Sequence, residues 1–150
     1  KIEIGGGIRN FDSIQKYTDM GVEKIILGSA AIKDKNFLKE ACEKFPNQIA
    51  LGLDAKDGYL SISGWKENSN KGTLDYLKEV NNYGVSRLIY TDINRDGMKQ
   101  SPNFKDTEKI ADSKLPILHN IKSIIWAINS ESVWLLIITP FLIKNFLRKS

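Results

Sequence analysis

Short apolar runs alternate along the chain with longer segments whose apolar residues recur three or four apart. The runs are IEI (2–4), KIILG (24–28), IALGLD (49–54) and RLIYTDI (87–93), and LPIL (115–118) begins a fifth. Between them lie NFDSIQKYTDMG, KDKNFLKEACEKF and NKGTLDYLKEVNNYG, where Leu74, Leu77 and Val80 show the helical spacing. Asp12 and Thr73 stand where helices start, Gly21 and Gly84 where they stop. Strand, helix, strand, helix predicts parallel strands joined by right-handed crossovers. The strands are nearly continuous apolar runs, as burial on both faces requires. Polar residues and glycines gather just after each run. That places functional groups at the carboxyl ends of strands and predicts part of a (β/α) barrel. A doubly wound open sheet is the alternative.

Composition changes this picture little. The chain has 150 residues, enough for one domain or a piece of a larger one. A hydrophobic fraction of 41% and a charged fraction of 27% are those of a globular protein. The net charge of +4 is uneven: residues 117–150 hold only four of the 22 basic residues and one of the 18 acidic ones, so the body is nearly neutral. No basic face stands out, and no nucleic-acid partner is expected. A single cysteine, Cys42, excludes an internal disulfide; it falls in a helical pattern and reads as a packed residue. No signal or transit peptide is visible at Lys1.

The strand ends carry the candidate chemistry. IEIGGGIRN runs from a strand through a glycine loop into a helix. Glycines there let backbone N–H groups approach an anion; a tight turn without ligand is the other reading. KIILGSAAIKDKNF repeats the device at Gly28 and Ser29, which tilts the balance toward a phosphate site. Asp54 closes a hydrophobic strand, where burial raises a carboxylate's pKa into a useful range for acid–base work. Asp57 and Gly58 read as a turn, and Trp65 is placed to stack on a planar ring or pack on the rim. Thr91 and Asp92 end the next strand, with Asp96 and Gly97 following. This segment is expected to bring a hydroxyl and two carboxylates to the face that holds Asp54.

Together, GGGIRNFDSIQKYTDMGVEKIILGSAAIKD, LGLDAKDGYLSISGW and LIYTDINRDGMKQSPN resemble the isomerase family of histidine biosynthesis that converts ProFAR, a phosphoribosylformimino aminoimidazole carboxamide ribotide, to its ribulosyl isomer. The resemblance covers residues 1 to about 116. It implies strands three to six of a (β/α)8 TIM barrel, in a cytoplasmic enzyme with no metal or organic cofactor. The implied reaction is an Amadori rearrangement of a small bis-phosphorylated ribotide, which needs one general acid and one general base. By resemblance, Gly7, Arg9, Gly28 and Ser29 hold one phosphate, Asp54 is the proton donor and Asp96 competes for that role. Thr91 hydrogen-bonds the opened sugar, and Trp65 stacks on the substrate. The cyclase subunit of imidazole glycerol phosphate synthase shares the glycine loops and the RDG, but ILGSAA, SGW and YTDINRDG match the isomerase better.

Against that pattern the chain lacks strands one and two, and with them the family's general base. Residues 117–150, ILHNIKSIIWAINSESVWLLIITPFLIKNFLRKS, contain no glycine where a second phosphate site is expected. Three readings of this tail stand: an out-of-frame translation, an edge-covering helix, or a membrane anchor. The last is the weakest, since Asn129, Glu131 and Pro140 interrupt the apolar stretch. The expected outcome is an inactive fragment that self-associates through open barrel edges; a non-catalytic half-barrel that binds phosphate or a partner chain is the rival.

Overall fold

The computed structural model describes residues 2–64, 67–94, 109–110, 117–119 and 134–135. In chain order the elements are β1 (Glu3–Gly5), α1 (Phe11–Asp19), β2 (Lys24–Leu27), α2 (Ser29–Lys33), α3 (Lys35–Lys44), β3 (Ile49–Lys56), β4 (Tyr59–Ile62), β5 (Glu67–Gly72), α4 (Thr73–Val80), β6 (Arg87–Asp92), β7 (Ile117–His119) and β8 (Trp134–Leu135). Strands β1, β2, β3, β6 and β7 are successive parallel neighbours. Each new strand is added on the same side of the last. An open doubly wound sheet reverses direction at a switch point, and the described strands show no such reversal. The result is a mixed α/β fold with a parallel sheet, consistent with part of a (β/α) barrel.

The helix boundaries follow from local hydrogen bonding. Asn10, not Asp12, caps α1: its side chain accepts from Ser13 N at 2.8 Å. Asp12 falls inside the first turn, where a negative charge suits the helix dipole. The end of α1 is a Schellman motif at Gly21, with Gly21 N donating to Thr18 O and Val22 N to Tyr17 O. The second helical segment is two helices. Asp34, in an extended conformation, ends α2, and its carboxylate accepts from Asn36 N and Phe37 N at the start of α3. Thr73 is the first residue of α4 rather than its cap, and its hydroxyl donates to Gly58 O.

One departure bears on the site. The sequence pattern reads Asp57 and Gly58 as a turn and announces no strand between Asp54 and the helix start at Thr73. Instead β3, β4 and β5 form an antiparallel meander. The first half of β3 pairs with β2 and its end pairs with β4, so the hairpin stands beyond the carboxyl end of β2. Period-2 patterning in YLSI is too short to announce a strand by itself.

The sheet has two unlike faces. Ile25, Leu27, Ile49, Leu51, Leu53, Leu88 and Tyr90 share one core cluster with Ile14, Leu38, Tyr76 and Val80 of the helices. Alternation puts Glu3, Ile26, Gly52, Asp54, Ile89 and Thr91 on the other face. There, Ile26 sits between two glycines. A Cβ on Gly5 would come within 2.9 Å of the Ile26 Cβ, and one on Gly52 within 3.0 Å of its Cγ2. Close approach, not backbone conformation, selects glycine at these two positions. IEI and RLIYTDI each have neighbours on both sides: β8 pairs antiparallel with β1 through Ile4 and Gly5, and β7, at the end of LPIL, pairs with β6 and takes the edge position there.

Candidate functional site at the strand ends

Because the central strands are parallel, their carboxyl ends share one edge. Gly6 and Gly7 leave β1 with φ of 98° and 67°, a region that L side chains avoid. Gly7 and Arg9 are exposed, and Ile8 between them is buried and anchors the loop. Gly28 follows β2 and caps α2 with φ −111° and ψ −110°; no side chain assists it. Ser29 opens α2, and its Oγ accepts from Ser63 N at 2.9 Å. The hairpin thus reaches the end of β2.

Asp54 and Thr91 are register partners on β3 and β6. Partners in a parallel ladder project to the same face, so the carboxylate and hydroxyl stand side by side. Thr91 is 9% exposed and Asp54 half-buried. On its other side Asp54 faces Ser61 of β4, itself buried at 5% exposure. Ser61, Asp54 and Thr91 form a polar row across three strands. Sequence reasoning misses Ser61, because its place depends on the hairpin.

Asp92 is corrected. The expectation sets it beside Asp54, yet it pairs with Ala55, one step out of phase, and projects to the opposite face. Its Oδ1 accepts from Asn94 N at 3.1 Å, and Asn94 Nδ2 donates to Asp57 Oδ1 at 2.8 Å. These bonds fasten the start of the following loop to the Asp57–Gly58 turn. Asp96 and Trp65 lie outside the described residues, so the site is Gly7, Arg9, Gly28, Ser29, Asp54 and Thr91 with Ser61 added. Among the described residues, no three His, Cys, Asp or Glu side chains converge as metal ligands. Nor is any described helix long and apolar enough to cross a membrane.

The parallel sheet thus carries glycine turns and a carboxylate–hydroxyl pair at the carboxyl ends of its strands. Residues 1–119 match the histidine biosynthesis protein family, and the chain belongs to it. It is 74% identical over 119 residues to the phosphoribosyl-(phosphoribosylamino)methylideneamino imidazole carboxamide isomerase of Pelagibacter ubique, covering 79% of this chain and 50% of that protein. The identically named enzyme of Chromobacterium violaceum is 45% identical over 118 residues, covering 78% of this chain and 48% of its own. That of Janthinobacterium sp. (strain Marseille) is 42% identical over 140 residues, 88% of this chain and 54% of its own. The chain spans about half the length of the curated relatives it matches.

Proposed function

We propose that this chain is a segment of a ProFAR isomerase, contributing strands three to six of a (β/α)8 barrel and half of its acid–base chemistry. The supporting observation is the in-register Asp54–Thr91 pair at the sheet edge, in a chain of this family. The substrate is a small ribotide with a phosphate at each end. Gly7, Arg9, Gly28 and Ser29 hold one phosphate: backbone N–H groups and the Ser29 hydroxyl donate, and Arg9 supplies charge. Asp54 protonates the ring oxygen as the aminoaldose opens, with Asp96 as the competing donor. Thr91 hydrogen-bonds the opened sugar, and Trp65 stacks on the substrate. No metal or organic cofactor enters this scheme, because proton transfer alone carries an Amadori rearrangement.

The 150-residue chain assayed by itself does not turn over ProFAR. A general base and the second phosphate clamp belong to the other half of the fold, and remote phosphate binding normally helps to hold the reacting sugar. Purified chain, ProFAR and a coupled absorbance assay test this. Turnover within a factor of about a hundred of an enzyme's typical ~10 per second overturns it. Grafting strands one, two, seven and eight from a relative restores isomerisation. Asp54→Asn or Asp96→Asn in that graft then lowers the rate by about a hundred- to ten-thousand-fold. A graft whose rate ignores both substitutions removes these role assignments.

A further inference from the structure

Asp54 is the middle of three in-register polar residues, and the two beside it are of one kind. Thr91 stands next to it on β6 and Ser61 on β4. Both carry a hydroxyl and both are buried. Directly opposed residues lie about 5 Å apart, so a hydroxyl on either side is within reach of the Asp54 carboxyl. The third buried polar side chain among the described residues is Thr73, whose hydroxyl goes to Gly58 O.

The chain fixes Ser61 from both sides. Leu60 is packed in the core cluster, and alternation turns its neighbour Ser61 to the Asp54 face. Leu60 O accepts from Ser69 Oγ at 2.9 Å. The turn before β4 is held at Gly58 O, which accepts from Thr73 N at 2.9 Å and from Thr73 Oγ1 at 3.0 Å. The turn after β4 is held at Ser63 N, which donates to Ser29 Oγ at 2.9 Å. The β4–β5 ladder shifts register here: β5 runs from Gly72 to Asn68 while β4 runs only from Tyr59 to Ser61. The surplus falls on β5, where Asn70 takes a φ of 54°. The irregularity therefore bends β5 and leaves the pairing of Ser61 with Asp54 intact.

The charged and titratable groups around this row are exposed, engaged or turned away. Lys56 shares the Asp54 face two residues on and pairs with Tyr59; both are exposed. Arg87, on the Thr91 face, is four residues away toward the amino end and contacts Glu3. Lys33 of α2 donates to Ser63 Oγ, and Lys71 of β5 to Ile32 O. Asp92 projects to the opposite face.

We propose that Ser61 is a positioning residue for Asp54: its hydroxyl donates to the carboxyl group from the hairpin side and turns the other oxygen toward the substrate. The inference rests on the reading of Asp54 as proton donor. In that reading Thr91 hydrogen-bonds the opened sugar, which leaves Ser61 to hold the carboxyl. When Asp54 passes its proton to the ring oxygen, the carboxylate so formed accepts the Ser61 O–H. A hydrogen bond that favours the charged form makes the acid easier to ionise. Ser61 acts through Asp54 and not on the substrate.

The test is a pH titration of the 150-residue chain isotope-labelled at its aspartate carboxyl carbons, with the Asp54 signal assigned through Asp54→Asn. Ser61→Ala raises the Asp54 midpoint by about one pH unit, because the donor to the ionised form is lost. Ser61→Thr keeps the hydroxyl and the midpoint. Ser61→Cys, with its weak S–H donor, gives part of the shift and stands in if the alanine variant does not fold. Thr73→Val removes another hydroxyl that holds the hairpin and leaves the midpoint unchanged. In the barrel completed with a relative's strands, Ser61→Ala lowers kcat and leaves KM unchanged. An Asp54 midpoint that neither Ser61→Ala nor Ser61→Cys moves overturns the role of Ser61, whatever Asp54→Asn does to the rate. If the midpoint moves but that rate ignores Asp54→Asn, the proton-donor reading fails and this inference with it.

Discussion

Cys42 is buried on α3, and burial, with a smaller contribution from Glu43, pushes its thiol from 9.0 up to about 11. The thiolate is the reactive form, so the native chain resists alkylation at neutral pH. The shift also makes stability depend on pH. Above about pH 9 the unfolded chain loses the thiol proton while the folded chain keeps it. The unfolded state then binds fewer protons, and stability falls as pH rises from about 9 to about 11. Tyr76, whose phenol is also raised by burial, adds to the decline at higher pH. Cys42→Ala should flatten the slope between those limits and leave the Tyr76 part. Urea midpoints measured across the alkaline range check this; parallel slopes in variant and parent would contradict it. The sequence marks Cys42 as packed but not the size of the shift, which needs the neighbours that fold around it.

At the level of elements, Tyr76 joins α4 to α2. Its hydroxyl donates to Ala31 O at 2.9 Å, with the residue 1% exposed. Tyr76→Phe keeps the ring and deletes the bond, so a loss of about 1 kcal/mol is expected, reaching about 3 if the carbonyl finds no other donor. Chemical denaturation measures it, and the loss should be greater than for Tyr59→Phe on the exposed side of β4. The parallel strands are legible in the sequence because four apolar runs, each bounded by turn residues, have no other place to go. The hairpin is not. β4 is four residues long and β5 (ENSNKG) has no apolar residue, so β4 depends on pairing with β3, and β5 on pairing with β4, rather than on pattern. That single miss explains three others. Without the hairpin, Ser61 has no place in the site, Ser63 reads as loop, and the Asp57–Asn94 bond has no expected counterpart. Asp92 fails for a different reason: a strand alternates faces, so Asp92 cannot share the Asp54 face with its neighbour Thr91.

Across the whole molecule, the pair Glu3–Arg87 reports the shape of the sheet. The two residues lie on β1 and β6, with β2 and β3 between them. Three strand spacings on a flat sheet would separate the chains by about 14 Å. Contact between the two side chains therefore needs the sheet to curl toward the face that also carries Ile26 and Asp54, as a barrel wall does. Both are mostly buried, at 18% exposure for Arg87 and 12% for Glu3, and burial lowers the guanidinium pKa. Glu3 Oε2 and Arg87 Nε have no hydrogen-bond partner among the described residues. Such a pair is costly to break yet adds little over apolar packing, because each charge left alone must be desolvated without compensation. Glu3→Leu and Arg87→Met singly should each destabilise the chain by up to about 3 kcal/mol, while the double variant recovers most of the loss. A double-mutant cycle by urea unfolding gives the coupling directly. Additive losses would mean that the two side chains do not sense each other, and that the sheet is flatter than the contact requires.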